Sequence, residues 1–128
     1  MIGRRLPSDS SGSASIEFAV AVPVLIALIW GIFQISLVFQ AGAGVQNALG
    51  QAARYATIFP TPTDTQIQAL IESSKFGTSN GNWSTPTITT DASGYKVITV
   101  SYSQPTDFLF FAGPTVTLTK TKRVYLQV

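Results

Sequence analysis

The residues that could do chemistry in this chain are few and widely spaced. It carries six acidic and eight basic side chains among 128 residues, with no histidine and no cysteine. Imidazole catalysis, thiolate metal sites and disulfides are therefore excluded. The acids of the second half, Asp64, Glu72, Asp91 and Asp107, are scattered without the pairing that general acid–base catalysis needs. We expect neither an enzyme nor a protein that binds a cofactor, a metal or a small-molecule substrate.

Glu17 differs from these acids because it directly precedes a long apolar run. No polar side chain occurs from residue 18 to residue 33, and no charged one from residue 18 to residue 53. At about 1.5 Å per residue, residues 18–39 form a helix of about 33 Å, which is enough to cross a hydrocarbon core of about 30 Å. The sequence therefore predicts one membrane-spanning helix with a carboxylate at its edge.

The composition is typical of a small membrane or assembly protein. Only 11% of the residues are charged and 45% are hydrophobic, whereas about a quarter of the residues of an average soluble domain are charged. The net charge of +2 provides no concentrated basic surface, so nucleic-acid binding is not expected. The residues beyond the apolar run suffice for one small domain.

The positive charges indicate the orientation of the helix. Arg4 and Arg5 precede the apolar run, and the first positive charge after it is Arg54. Basic residues favour the cytoplasmic side of a membrane. We therefore expect a single-pass protein with a cytoplasmic N-terminus and an extracytoplasmic C-terminal domain. Residues 1–12 are polar and aperiodic, and we expect them to be disordered.

A cleavable secretory signal is the competing interpretation. Ala41-Gly42-Ala43 follows the apolar run and matches the small-residue pattern of a signal peptidase site. Cleavage near Ala43 would release a secreted binding or adhesin domain. The apolar run is longer than the 7 to 15 residues typical of a signal peptide, and Glu17 stands at its front. Retention of the helix is therefore the favoured interpretation.

Two features of the long helix bear on its packing. Pro23 lies inside it, where a missing hydrogen bond and a steric clash predict a kink. Gly44, Ala48, Ala52 and Ala56 repeat at every fourth position, which places four small residues on one helix face. Because small residues let two backbones approach closely, this stripe predicts a contact with another helix above the membrane.

The remainder of the chain predicts a small α+β domain. We expect the long helix to end at Phe59, because a residue before proline avoids the α region. A short helix then follows a capping box at residues 63–66. Residues rich in β-branched and aromatic types predict an antiparallel sheet of about three strands, over residues 85–90, 95–103 and 115–128.

Two segments interrupt the pattern of the predicted sheet. The apolar residues 108–111 lie in a proline-flanked loop, which we expect to plug the domain core rather than to dip into an interface. Lys120 and Lys122 break the alternation of the last strand, so we expect a bulge there or a strand that projects beyond the core. Together with Arg123 they form a solvated face.

The start of the apolar run resembles the class III signal of type IV pilins and pseudopilins. In that signal a prepilin peptidase cuts after a glycine, and a glutamate stands fifth in the mature chain. Here Gly12 precedes Ser13, which makes Glu17 the fifth residue and Phe18 the sixth. More narrowly, Ser-Ile-Glu-Phe-Ala-Val-Ala-Val-Pro-Val-Leu and the patch Ala-Ala-Arg-Tyr-Ala at residues 52–56 resemble TadE-like proteins of the tight-adherence (Tad, or Flp) pilus system.

The resemblance implies a minor pilin or pseudopilin that takes part in assembly of a Tad pilus, and so in cell adhesion. It implies a leader of residues 1–12, a long helix over residues 13–59 and an extracytoplasmic domain over residues 60–128. The expected partners are the bacterial inner membrane, the prepilin peptidase, other Tad pilins or pseudopilins and the assembly platform. After cleavage, Glu17 would pair with the α-amine of Ser13 on a neighbouring subunit, because a carboxylate at the membrane edge needs a partner.

Overall fold

The computed structural model of the protein describes residues 10–126. Two helices come first, and an antiparallel sheet of four strands follows, so the fold is α+β as the sequence predicts. The elements in chain order are α1 (Ser10–Tyr55), α2 (Asp64–Ser74), β1 (Asn82–Trp83), β2 (Thr87–Thr90), β3 (Tyr95–Phe108) and β4 (Phe111–Tyr125).

The first helix, α1, is continuous over 46 residues and is about 69 Å long at about 1.5 Å per residue. The helical assignment passes through Pro23 without a break. Because α1 begins at Ser10, the predicted disorder of residues 1–12 is wrong for residues 10–12. The remainder of that prediction, on residues 1–9, lies outside the described residues.

The C-terminal end of α1 is at Tyr55, four residues before the predicted end at Phe59. The backbone N–H of Thr57 donates to the Arg54 carbonyl at 3.3 Å, and the Thr57 hydroxyl donates to the same oxygen at 2.7 Å. The N–H of Ile58 donates to the Tyr55 carbonyl at 3.1 Å. These tighter bonds satisfy the last carbonyls and close the helix before the proline is reached.

The second helix, α2, begins at the predicted capping box. The N–H of Gln66 donates to the Thr63 hydroxyl at 3.3 Å, and the N–H of Thr63 donates to the Gln66 side chain at 2.9 Å. This reciprocal pair satisfies two donors that the first turn leaves open. Ile67 and Ile71, one turn apart, are fully buried and hold α2 in the core.

The sheet is organised around β3. β4 pairs with it from Tyr95–Tyr125 at one end to Phe108–Phe111 at the other, while β2 and β1 share its opposite edge. The sequence missed β1, because two residues carry no periodic signal. It also placed residues 104–114 in a loop, whereas β3 and β4 continue through them to a tight hairpin.

The core lies where the second half of α1 meets α2 and the inner face of β3. Alternate residues of β3 are buried, as expected for a strand with one face on the core. The largest of them is Tyr102, whose burial raises the pKa of its phenol. The buried apolar cluster comprises Ala41, Val45, Ala48, Leu49, Ala52, Ala53, Ala56, Ile67, Ile71, Ile98, Val100, Tyr102 and Val124.

The stripe of small residues on α1 belongs to this core. Ala48 and Ala52 are fully buried, and Ala56 is 1% exposed. A Cβ added to Gly44 would lie 1.8 Å from the carbonyl oxygen of Phe76. The prediction that this stripe packs on a helix of another subunit is therefore corrected, because in the folded domain these residues are covered by the chain's own α2 and sheet.

Lys120 and Lys122 lie on a regular stretch of β4 and not on a bulge. The pairing of β3 with β4 is in continuous register from Tyr95–Tyr125 to Pro105–Thr115. Both lysines are exposed, whereas their partners on the central strand are buried. The edge strand therefore projects beyond the core at this point, which was the other expectation from the sequence.

Candidate membrane and assembly site

The predicted processing residues lie together on the first turns of α1. Gly12, Ser13, Glu17 and Phe18 are all exposed, and a Cβ built on Gly12 meets open space. Gly12 and Glu17 are separated by a rise of about 7.5 Å along the helix axis. No ion pair within residues 10–126 involves Glu17, so its carboxylate is open to a partner from another molecule.

The first half of α1 presents a continuous apolar surface. No residue from 12 to 29 is buried. Its exposed large side chains are Ile16, Phe18, Val20, Val24, Leu25, Ile26, Leu28 and Ile29. An 18-residue stretch of the helix has a mean hydropathy of 2.4, so by length and composition the helix could cross a membrane. Because an apolar surface of this extent would be costly to hydrate, the segment fits the spanning helix of a single-pass membrane protein.

Glu17 lies at one end of a shallow apolar groove on this half of the helix. The groove is lined by Ile16, Glu17, Val20, Ala21, Val24, Leu25 and Leu28. The only charged group in the groove is therefore at its N-terminal end. A partner that fills the groove would bring its own atoms next to the Glu17 carboxylate.

The hairpin of β3 and β4 extends down to the middle of α1. The indole Nε1 of Trp30 donates to the Asp107 carbonyl at 2.8 Å. The Phe108 ring lies against Gly31, 3.7 Å from a Cβ built there, and stacks on Phe111 with 5.2 Å between ring centres. The upper part of the predicted membrane segment, residues 30–39, is thus approached on one side by the domain.

The sequence predicted that the apolar residues at the turn of this hairpin plug the core, and this prediction is wrong. Leu109 is 50% exposed, Phe110 70% and Phe111 65%. We call residues 108–111 the hairpin tip. The hairpin is longer than the core that α1 and α2 cover, so its tip projects beyond the core along α1.

Asp64, Glu72 and Asp91 in the domain have structural partners. Asp64 forms an ion pair with Lys96, and Glu72 accepts a hydrogen bond from the Trp83 indole at 2.7 Å. Asp91 accepts a hydrogen bond from a backbone N–H of its own turn at 2.8 Å, and this bond lowers the pKa of the Asp91 carboxyl. These contacts join helix ends and turns to the sheet.

Trp30 positions the hairpin on α1, a role that was not predicted from the sequence. A tryptophan within an apolar run is unusual, since its indole N–H needs a hydrogen-bond acceptor when it is removed from water. The indole N–H was the one feature of the sequence that could have indicated a distant contact of Trp30. Its acceptor is a backbone carbonyl 77 residues away, which no local pattern specifies.

Residues 12–54 match the model of the family described as TadE-like protein. This segment is therefore similar to TadE-like proteins. The match confirms the resemblance inferred from the sequence, and it covers α1 from the predicted cleavage site to Arg54. It supports a protein associated with the Tad pilus, consistent with the membrane-spanning helix. No curated protein and no solved structure matches the chain.

Proposed function

We propose that this TadE-like chain is a minor pilin or pseudopilin that takes part in assembly of a Tad pilus after prepilin peptidase cuts between Gly12 and Ser13. One observation carries the proposal. The exposed Gly12 and Glu17 stand at the start of an apolar helix whose first half lies outside the domain, and the family match begins at the same glycine.

The proposed topology has the N-terminus in the cytoplasm and the domain on the extracytoplasmic side of the inner membrane. The helix stores the subunit in the bilayer until it joins other Tad pilins or pseudopilins at the assembly platform. Since α1 continues from Glu17 into the domain core, a force on the membrane half moves the domain with it.

The partner-facing surface is proposed to be the first half of α1, including the Glu17 groove and Pro23. The small residues Gly44, Ala48, Ala52 and Ala56 are occupied by the domain. Residues 12–29, in contrast, are free of it. When a helix of a neighbouring subunit packs on residues 12–29, it takes the place of the lipid around these apolar side chains. Assembly therefore does not need to expose them to water.

Glu17 is proposed to select and orient that neighbour. Cleavage after Gly12 creates an α-amine on Ser13, and the amine of an adjacent subunit neutralises the Glu17 carboxylate. An unpaired charge removed from water costs several kcal/mol. The pairing therefore favours the axial stagger that brings the two groups together, in addition to the non-directional apolar contact.

The test separates cleavage from assembly in one strain. Gly12→Leu should leave the full-length precursor, because a bulky residue stands at the cut. Glu17→Gln keeps the size of the side chain and removes its charge, so the protein should reach the membrane but fail to support piliation. Glu72→Gln, at an exposed acid of the domain, is the matched control and should leave piliation unchanged.

Two results would overturn parts of the proposal. Normal processing of Gly12→Leu would remove the assigned cleavage site. A Glu17→Gln protein that is cleaved and still supports normal piliation would show that the carboxylate makes no pairing needed for assembly. N-terminal sequencing of the mature wild-type protein should give Ser13.

The alternative, a domain released by signal peptidase near Ala43, is not favoured. Ala43 lies inside α1 and Ala41 is fully buried in the domain core. Cleavage there would remove Ala41 together with Trp30 and Gly31, which contact the β3–β4 hairpin. Signal peptidase sites lie in small-residue segments that follow a short apolar region, and not within a packed helix.

A further inference from the structure

The hairpin tip, residues 108–111, combines exposure with an apolar composition. The side chains of Leu109, Phe110 and Phe111 are at least half exposed, and no charged residue occurs from 108 to 119. Exposed aromatic side chains grouped in this way mark surfaces that contact a membrane or another protein. Contacts already present at the tip indicate which of the two it is.

The tip is held against the apolar half of α1. The Trp30 indole donates to the Asp107 carbonyl at 2.8 Å, and the Phe108 ring approaches Gly31. Trp30 lies 13 positions after Glu17, which is a rise of about 20 Å. The tip therefore stands about 20 Å above Glu17, whereas a hydrocarbon core is about 30 Å thick.

The distance between Glu17 and Trp30 limits how far the tip can lie from the hydrocarbon core. If the Glu17 carboxylate lies at the cytoplasmic boundary, the outer boundary falls roughly 10 Å beyond Trp30 along the helix. The Glu17 side chain can extend several ångströms towards the cytoplasm, as charged side chains near helix ends do. Even so, the hairpin tip remains at or below the level of the outer boundary.

We propose that the hairpin tip is inserted into the extracytoplasmic leaflet and acts as a second membrane contact of the chain. When the Glu17 side chain extends several ångströms towards the cytoplasm, the exposed Asp107 carboxylate, one residue above the tip, lies close enough to the outer boundary to reach the lipid headgroups. Trp30 lies at the same level, just beneath the interfacial zone where tryptophan is enriched. Leu109, Phe110 and Phe111 enter the acyl chains.

The backbone near the tip suits shallow insertion. Phe108 pairs with Phe111 across the turn, which limits the number of open backbone groups. Pro105 on β3 and Pro114 on the edge strand β4 have no N–H to leave unpaired. Because unpaired backbone groups are costly in hydrocarbon, the turn can enter the leaflet while the longer open edge of β4 stays in water.

The experiment uses the absence of cysteine in the chain to place one environment-sensitive NBD label at a time. The full chain is reconstituted in vesicles of phosphatidylethanolamine and phosphatidylglycerol that contain lipids with a quencher near the headgroup or deep in the acyl chain. The test variant is Phe110→Cys. Leu25→Cys, within the helix, is the control for a membrane position.

Thr119→Cys, on the strand that follows the turn, is the matched control. Thr119 is exposed and lies nine residues from Phe110, about 30 Å along β4. We expect the label at Leu25→Cys to lose fluorescence with the deep quencher and the label at Phe110→Cys with the shallow quencher. The label at Thr119→Cys should respond to aqueous iodide alone.

Two outcomes overturn the inference. If the label at Phe110→Cys behaves as that at Thr119→Cys while Leu25→Cys is quenched by lipid, the helix spans the membrane but the tip is outside. A crosslink from Phe110 to a partner pilin would then identify the tip as a protein contact. If Leu25→Cys also escapes quenching, the membrane-spanning helix of the proposed function fails together with the inserted tip.

Discussion

Gly44 and Gly50 lie six residues apart on the same helix but have opposite surroundings. A Cβ on Gly44 would overlap the Phe76 carbonyl, 1.8 Å away, whereas a Cβ on Gly50 meets nothing within 4 Å. Gly44→Ala must therefore push the segment after α2 away, at a cost of about 1–3 kcal/mol. Gly50→Ala should stabilise the helix by up to about 1 kcal/mol.

Thermal unfolding of the full chain in detergent micelles measures both glycine variants. The midpoint should fall for Gly44→Ala and rise for Gly50→Ala. Equal changes of the midpoint at the two positions would show that helix propensity alone determines the effect on stability. They would also show that the segment around Phe76 can move without loss of stability.

The ion pair of Lys96 with Asp64 is the second feature at this scale. Lys96 points into the inner face of β3 with a side chain only 9% exposed, whereas Asp64 is about half exposed. Removal of one partner leaves a buried ammonium without its counter-charge. Because Asp64 remains in contact with water, we expect Asp64→Asn to cost about 1 kcal/mol, below the range for a fully buried pair.

A double-mutant cycle tests this pair. Asp64→Asn should cost less than half as much in a Lys96→Met background, since no ammonium then remains to be paired. The free energy of unfolding from chemical denaturation gives the coupling. An equal cost in both backgrounds would mean that Asp64 acts only on the helix dipole of α2.

Sequence patterns were most informative where they depend on neighbours along the chain. The capping box at Thr63 and Gln66 is local and is confirmed by its two hydrogen bonds. The spacing of Gly12, Glu17 and Phe18 is also local and supports the family resemblance, while the processing role of these residues stays a prediction. Trp30 could not be placed in this way, because its acceptor belongs to a strand that comes near only after the hairpin forms.

At the scale of the element, the four-residue repeat on α1 predicted close approach but not the partner. A stripe of small residues is a property of one helix alone, whereas its partner depends on how the remaining chain folds back. Ala52 meets the chain's own core. Ala52→Leu should therefore destabilise the domain by about 1–3 kcal/mol through overpacking, rather than leave it folded and impair assembly only.

Protease resistance of the extracytoplasmic domain in cells measures this effect. Gln46→Leu adds a leucine to the exposed side of the same helix and should leave resistance unchanged. If Ala52→Leu stays as resistant as Gln46→Leu while piliation falls, the stripe contacts a partner after all.

The hairpin was only partly predictable. Two prolines within residues 104–114 argued for a loop, because proline cannot donate to a sheet ladder. Both occur where a missing donor is tolerated, Pro114 on the edge strand and Pro105 beyond the end of the short β1 pairing. The apolar composition of the tip is evident from the sequence. Its exposure is not, because it depends on how far the hairpin extends beyond the core.

At the scale of the whole molecule, α1 belongs both to the membrane segment and to the domain. Residues 12–29 are uncovered, while Trp30, Gly31 and Ala41 contact the domain or lie in its core. The sequence divided the chain into a helix and a following domain. In the structure the second half of that helix also supplies part of the domain core, which this division does not express.

This shared helix predicts how the chain tolerates truncation. A fragment that begins at residue 44 lacks Gly31 and Gly42, so it leaves Phe108 and Leu118 without the helix positions that they approach. Exposure of one or two large apolar side chains lowers the free energy of unfolding by about 3 kcal/mol. For a domain of this size, we therefore expect a midpoint of thermal unfolding lower by at least about 10 °C.

A fragment that begins at residue 30 keeps these helix positions and is the matched control. Both fragments are compared in the same detergent by circular dichroism, and we expect cooperative unfolding near the full-chain midpoint only for the fragment that begins at residue 30. The fragment that begins at residue 44 is also the product that signal peptidase would release. If it unfolds as cooperatively and at the same temperature as the longer one, the domain does not need the middle of α1, and a secreted domain becomes physically tenable.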